Sequence, residues 1–326
     1  VVFDPVNIID TITVTATAYN AVPQQSTVLV ISPNGPYIIT NNYLIDDSQG
    51  NNNGVVDYDE DILLSISLQN IGTSISNNLN AFISTSSPNV TITDGFHNFG
   101  SLSNNSSISG NSAFSFKVHD NIMDQQSLFF NVDLTDINGN IWQSSINLTV
   151  CAPKLEVLGI SVDDYTLGNG NGVLEDGELA TINIEVQNIG SSTSPLCDAV
   201  IDIVNPYLTV TSATSTNLGL IAPNTTEIAI YNVNMLNNIP LGTTINVDFN
   251  AMAGSYITSN VFILPTNLLM EDFESNNFNS FPWSMQQTPW YISNEDPYEG
   301  IYCSKSGMIG NNTSSVLSVT VDVLTD

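Results

Sequence analysis

Polar and apolar residues alternate with a period of two along most of this chain, and the three-to-four-residue spacing of helices is nearly absent. The segment Thr11-Ile12-Thr13-Val14-Thr15-Ala16-Thr17-Ala18-Tyr19 alternates, and Asn20-Ala21-Val22-Pro23-Gln24-Gln25 turns it into a second strand over Ser26–Ile31. A lone hairpin is not stable in water, so residues 1–40 read as the end of a domain that begins upstream. Further strands are predicted at Ile62–Gln69, Asn80–Ser84, Ala113–Val118, Leu128–Leu134 and Ile146–Val150. A second set follows at Ala180–Gln187, Ala199–Ile203, Glu227–Asn232, Ile245–Asn250 and Ser259–Leu264.

The two sets are copies. Gly50 and Gly168 anchor them at an offset of 168 − 50 = 118 residues, and Asn70-Ile71-Gly72 recurs as Asn188-Ile189-Gly190. About seven short strands in roughly 110 residues is what an immunoglobulin-like sandwich requires. Pro153 and Pro265 mark the module ends, which places modules at 41–152 and 153–266. From Leu268 the texture changes to an aromatic-rich stretch: Phe278, Phe281, Trp283, Trp290, Tyr291, Tyr298 and Tyr302. One more strand is predicted at Val316–Val323. Residues 267–326 are few for a self-contained sandwich and read as the opening of a third domain. The expected fold class is all-β, with tandem immunoglobulin-like sandwiches.

Each copy carries an acidic, Asn/Gly-rich loop. The first runs from Asp46-Asp47 through Asn51-Asn52-Asn53-Gly54 to Glu60, and the second from Asp163-Asp164 through Asn169-Gly170-Asn171-Gly172 to Glu178. Calcium takes six to eight oxygens, which a short loop can supply from alternate side chains, a carbonyl and one distal carboxylate. With Gly54 on the sharp-turn position of an EF-hand loop, Asn51, Asn53, Asp57 and Glu60 fall on ligand positions, and Val55 offers its carbonyl. Asn169, Asn171, Val173, Glu175 and Glu178 do the same around Gly172. The first ligand position fails, being Gln49 in one copy and Leu167 in the other. Asp46 or Asp47, and Asp163 or Asp164, can supply the missing carboxylate. A polar turn whose Asn and Gly residues merely tolerate left-handed backbone is the alternative. The second copy with the same spacing favours one Ca²⁺ per repeat. Magnesium, which keeps its waters, fits less well.

The chain has three lysines, no arginine and a formal charge of −29. Nucleic-acid binding needs a positive footprint and an anionic membrane surface needs basic residues, so both are disfavoured as partners. At 42% hydrophobic residues the chain is no disordered acidic tail. No run of 18 apolar residues exists, so no membrane insertion is expected. Val1-Val2-Phe3-Asp4 lacks the basic start and apolar core of a signal peptide, and the chain reads as a piece of a larger protein. Cys151, Cys197 and Cys303 are odd in number and widely spaced. They read as buried free thiols, with a Cys151–Cys197 bridge as the lesser option.

Thr13 to Ile31, with Tyr19-Asn20-Ala21-Val22-Pro23 at its turn, resembles the end of the immunoglobulin-like domain that follows the catalytic domain of gingipain-type cysteine peptidases. The two repeats resemble Ig-like modules of large Bacteroidetes surface proteins. Glu271-Asp272-Phe273-Glu274, Pro289-Trp290, Pro297-Tyr298-Glu299-Gly300 and Tyr302-Cys303-Ser304-Lys305-Ser306-Gly307 are similar to the start of a cleaved-adhesin domain. The resemblance implies a partial jelly-roll sandwich at the C-terminus, adhesion as its chemistry, and type IX export to the cell surface or medium. It also implies an upstream catalytic domain and a downstream adhesin in the same polypeptide.

The catalytic Cys and His of that family cannot be placed. His97 and His119 read as surface loop, and Cys151 ends a strand. Three functions compete: a non-catalytic, calcium-stiffened stalk; an adhesin whose aromatic segment grips glycan or host protein; and a glycosidase with paired carboxylates. The last is weakest, because nearly all acidic residues map to the loops and turns.

Overall fold

The computed structural model describes residues 11–30, 33–240, 242–267, 271, 273–298 and 300–320. Of the positions used above, residues 1–4, Ile31, Leu268, Asp272, Glu299 and 321–326 lie outside the described residues. The fold is all-β, with no helix among the described residues and hence none able to cross a membrane. Strands β1 (Thr11–Ala16) and β2 (Gln24–Leu29) form an exposed antiparallel hairpin.

The first sandwich contains β3 (Ile38–Asp46), β4 (Val56–Asp57), β5 (Asp61–Asn70), β6 (Ser76–Thr85), β7 (Val90–Asp94), β8 (Phe96–Leu102), β9 (Ser107–Val118), β10 (Ser127–Thr135) and β11 (Ile141–Cys151). One sheet runs β3-β5-β9-β7 and the facing one β4-β11-β10-β6-β8. Strand β3 begins at Ile38 and so crosses the expected boundary at 40/41.

The second sandwich repeats this arrangement with β12 (Leu155–Asp163), β13 (Leu179–Asn188), β14 (Leu196–Asp202), β15 (Leu208–Val210), β16 (Ser215–Leu220), β17 (Thr226–Met235), β18 (Thr244–Ala253) and β19 (Tyr256–Pro265). Its sheets run β12-β13-β17-β15 and β16-β14-β18-β19. A parallel bridge, Leu174 to Thr266, stands where β4 pairs in parallel with β11 in copy one. The two modules therefore agree strand for strand in sheet order. Beyond them lie two short ribbons, β20 (Ser284–Gln287) with β23 (Ser315–Ser318), and β21 (Trp290–Ser293) with β22 (Cys303–Ser306).

Alternation explains the cores. Ile62, Leu64, Ile66 and Leu68 of β5 point inward and are buried, as are Ile182, Ile184 and Val186 of β13. In copy one they pack with Phe114, Phe116 and Phe130, the last two rings 4.7 Å apart. In copy two Tyr231 and Phe249 fill the same role. Each such fully buried side chain contributes about 1.5–3 kcal/mol by leaving water.

The Asn-x-Gly turns are more than turns. Asn70 is fully buried and uses its whole amide: Oδ1 accepts the Tyr37 and Gly72 N–H groups (3.1 and 3.0 Å), and Nδ2 donates to the Ser74 and Leu102 carbonyls (2.9 and 3.1 Å). Asn188 repeats the set with Lys154 and Gly190 as donors (both 3.0 Å) and the Ser192 and Ile221 carbonyls as acceptors (both 2.8 Å). Tyr37 and Lys154 belong to the linkers that enter each module. A Cβ on Gly72 or Gly190 would run into the backbone of Gly35–Tyr37 or Ala152–Lys154, so the linker lies directly on the glycine.

Candidate metal centre

Both loops leave the end of a strand, β3 or β12, and close on themselves through carboxylates. The final residue of each strand, Asp46 or Asp163, is exposed, and its Oδ1 accepts the N–H two residues on, from Ser48 or Tyr165. The neighbouring Asp47 and Asp164 face the other way and are buried. Asp47 Oδ2 accepts the Gly54 N–H (2.8 Å). Asp164 accepts those of Gly170 and Asn171 at Oδ2 and of Gly172 at Oδ1 (3.2, 3.2 and 3.0 Å). Of each acidic pair, the second member is therefore the one directed into the loop. Gly54 and Gly172 have φ of +87° and +74°, a backbone turn that favours glycine.

The distal glutamates reach back across the loops. Glu60 Oε1 accepts the Asn51 N–H (3.0 Å) and Oε2 the Asp57 N–H (2.9 Å). Glu178 does the same with Asn169 and Glu175 (both 3.0 Å). Their carboxyl groups lie where a Cβ on Gly50 or Gly168 would sit, which is why the two anchoring glycines recur. Asn51 and Asn53 Oδ1 accept the Asn53 and Val55 N–H groups (3.0 and 2.9 Å), and both Nδ2 groups donate to Asp57 Oδ2 (2.7 Å each). In copy two, Asn169 and Asn171 Oδ1 accept the Asn171 and Val173 N–H groups (3.0 and 2.8 Å), and Asn169 Nδ2 donates to Glu175 Oε2.

Asp47, Asp57 and Glu60 are thus buried in one loop, 3–4% exposed, with no lysine among the partners described. Asp57 Oδ1 is fully enclosed and has no hydrogen-bond partner. A buried carboxylate oxygen left unpaired costs about 1–3 kcal/mol or more. A hard cation would satisfy it. Asn51 and Asn53 turn their amide N–H groups toward Asp57 Oδ2, and each would ligate through a second lone pair on the oxygen that accepts a backbone N–H. No three Asp, Glu, His or Cys side chains are drawn together as a metal cluster among the described residues. Asp47, Asp57 and Glu60 share one loop, where the charges of the first two act on the third. Copy two leaves no such orphan, and its Glu175 is only half-buried.

Burial pushes the Glu60 carboxyl above its ordinary value of 4.5, with the Asp57 and Asp47 charges adding to the effect against the two N–H groups. Glu178 is raised likewise by burial, with Asp164 and Glu175 adding to it. An acid raised on folding holds its proton more tightly in the native state. Its contribution is therefore favourable at low pH and is lost as pH rises from 4.5 through the folded value. Protein stripped of divalent cations is expected to lose thermal stability across that window. The Glu60→Gln/Glu178→Gln double variant should lose this part of the slope, and identical slopes would refute the assignment.

The three thiols are free. Cys197 alone is buried, where desolvation pushes its thiol up to about 11, while Cys151 and Cys303 are partly exposed. That corrects the expectation of three buried cysteines. His97 lies within β8, its ring 4.7 Å from Phe99, rather than in a loop, and His119 follows β9 and pairs with Thr91 Oγ1 (2.8 Å). Of the aromatic segment, Trp283 donates Nε1–H to Glu271 Oε2 (3.0 Å) and packs on Phe273 and Phe281, while Tyr298 is fully exposed.

No protein-family model matches the sequence, and no curated protein is similar to it. Among solved structures, a red sea bream transglutaminase matches 69% of this chain and 31% of its own length at 10% identity, with a TM-score of 0.27. The chain thus spans about a third of that enzyme, and a likeness at this level carries no argument about function.

Proposed function

We propose that this chain is a non-catalytic, calcium-stabilised stalk of a gingipain-like protein at the outer cell surface or outside the cell. In this reading each sandwich holds one Ca²⁺. The first site uses Asp47, Asn51, Asn53, Asp57, Glu60 and the Val55 carbonyl, and the second uses Asp164, Asn169, Asn171, Glu175, Glu178 and the Val173 carbonyl. The observation that carries the proposal is the enclosed, unpartnered Asp57 Oδ1 beside two further buried carboxylates. A cation there offsets their mutual repulsion and supplies the missing partner. Asp47 takes the place of the first loop ligand that Gln49 cannot fill, since it already binds the turn glycine.

The expected result is a higher thermal midpoint with calcium and a lower one with EGTA. Calcium at a hundred times its dissociation constant adds about 2.7 kcal/mol. Magnesium at the same concentration should add much less. A melting curve indifferent to both calcium and EGTA overturns the proposal. The exposed Tyr298 supports an adhesive role for the C-terminal segment, as a second reading in which that segment binds glycan or host protein.

A further inference from the structure

The two sandwiches meet on the residues that follow the first loop. Tyr58 lies between Asp57 and Glu60, and its N–H donates to the Cys151 carbonyl (3.1 Å). Its hydroxyl crosses to the second module and donates to the Thr193 carbonyl (2.9 Å). Its ring meets Tyr256 of the second module edge-on, centroids 5.3 Å apart at 82°. Tyr256 in turn donates its hydroxyl to the Ile122 carbonyl of the first module (3.0 Å). Each tyrosine thus reaches into the other sandwich.

The remaining ties cluster at the linker, where Ser191 and Ser192 donate their N–H groups to the Ala152 carbonyl (3.1 and 3.4 Å). Asp124 Oδ1 accepts the Ala152 N–H and both the N–H and hydroxyl of Ser191. Gln125 donates to Ser191 Oγ (2.7 Å), and Ser255 to Asp120 (3.1 Å). Two clefts flank this contact. One, of about 630 Å³, is lined by Asn51, Asp57 and Glu60 on one wall and Ser191–Pro195 on the other. The second, of about 710 Å³, is lined by Ile122, Asp124, Pro153 and Tyr256. A narrow contact between two open clefts is hinge geometry, and small inter-domain contacts permit rotation unless something fixes them.

Copy two lacks this link. The position equivalent to Tyr58 is 58 + 118 = 176, an aspartate. Asp176 accepts the Asn238 and Ile239 N–H groups of its own module (2.9 and 2.8 Å) and the amide of Asn267, the first residue past that module (2.9 Å).

We infer that occupancy of the first loop, and not of the second, sets the angle between the two sandwiches, with Tyr58 as the positioning residue. The inference rests on reading that loop as a calcium site. A cation held by Asp57 and Glu60 fixes the short turn between them, and Tyr58 is part of that turn. Without it, three buried carboxylates repel one another, the turn loosens, and both tyrosine contacts lose their aim. In copy two the corresponding turn is anchored to its own module and to Asn267 just beyond it, and makes no bond to the first sandwich, so its metal does not bear on the angle between the two.

The test combines calorimetric calcium titration of the full chain with hydrogen exchange at Ile122–Gln125 and Ser191–Pro195. Wild type should take up two calcium ions and slow exchange at both segments by at least about tenfold, equivalent to ~1.4 kcal/mol. Tyr58→Ala should still take up two ions, which shows intact loops, yet gain no protection at the junction. Glu178→Gln should take up one ion and gain the full protection. Junction protection in Tyr58→Ala equal to wild type, or its loss in Glu178→Gln, overturns the inference while leaving the calcium sites standing. Absence of calcium uptake by wild type overturns the calcium reading itself, and the inference with it.

Discussion

Replacing Asn188 with alanine is expected to cost the second sandwich about 3 kcal/mol or more, and to lower its unfolding midpoint by roughly 10 °C. The side chain is fully buried and its four hydrogen bonds converge from three separate stretches: the incoming linker, its own turn (Gly190 N–H and the Ser192 carbonyl) and the Ile221 carbonyl. Alanine leaves two donors and two acceptors facing a cavity that the amide had filled. Asn188→Asp should be at least as damaging, because it keeps the acceptor but removes both donations and buries a charge against two carbonyls. Gly190→Ala reaches the same end by steric means, pressing a methyl group onto the Ala152–Lys154 backbone. Asn70→Ala should repeat the loss in the first sandwich. Chemical denaturation with the two transitions resolved checks all four, and a cost below about 1 kcal/mol for Asn188→Ala would sink the interpretation.

The second large effect is a change of sign. Asp57→Asn is isosteric, and its carbonyl can remain the acceptor for Asn51 and Asn53 while the new amide takes the place of the unpartnered Oδ1. Without divalent cations the variant removes a buried charge from a group of three, so it should be more stable than wild type by about 1 kcal/mol or more. With calcium it should be less stable, because it lacks the anionic ligand and cannot collect the binding energy. The two melting curves should therefore exchange order on adding calcium. Destabilisation of equal size in both buffers would mean that Asp57 is a structural acceptor and not a ligand.

Strands with an unbroken period of two were legible in the sequence: β5 and β13 bury every second residue from end to end. Strands β3 and β12 were missed for a shared reason. Each carries a register shift, between Thr40 and Asn42 and between Val157 and Gly159, and one extra residue inverts the phase of the pattern halfway along. The loop ligands were legible as a set because spacing fixes them. The choice between Asp46 and Asp47 was open, since it depends on where β3 stops and which face its next residue takes. The Asn-x-Gly motif was visible, but its grip on the linker was not, because Asn70 and Tyr37 are far apart in the chain. The Tyr58–Tyr256 contact has no sequence signature at all, being a product of how two finished sandwiches meet.

The clasp on the linker has one more consequence. Asn70 and Asn188 take hold of a backbone N–H, from Tyr37 in one case and Lys154 in the other, and ask nothing of the side chain that carries it. Any residue except proline could stand there and be held at the same point. A unit running from one clasped linker to the next is thus interchangeable with another at the level of its entrance, whatever its surface chemistry. A chain built on this joint can be lengthened by whole cassettes of about 118 residues without redesigning the seam. Reach can then vary while each sandwich stays as it is.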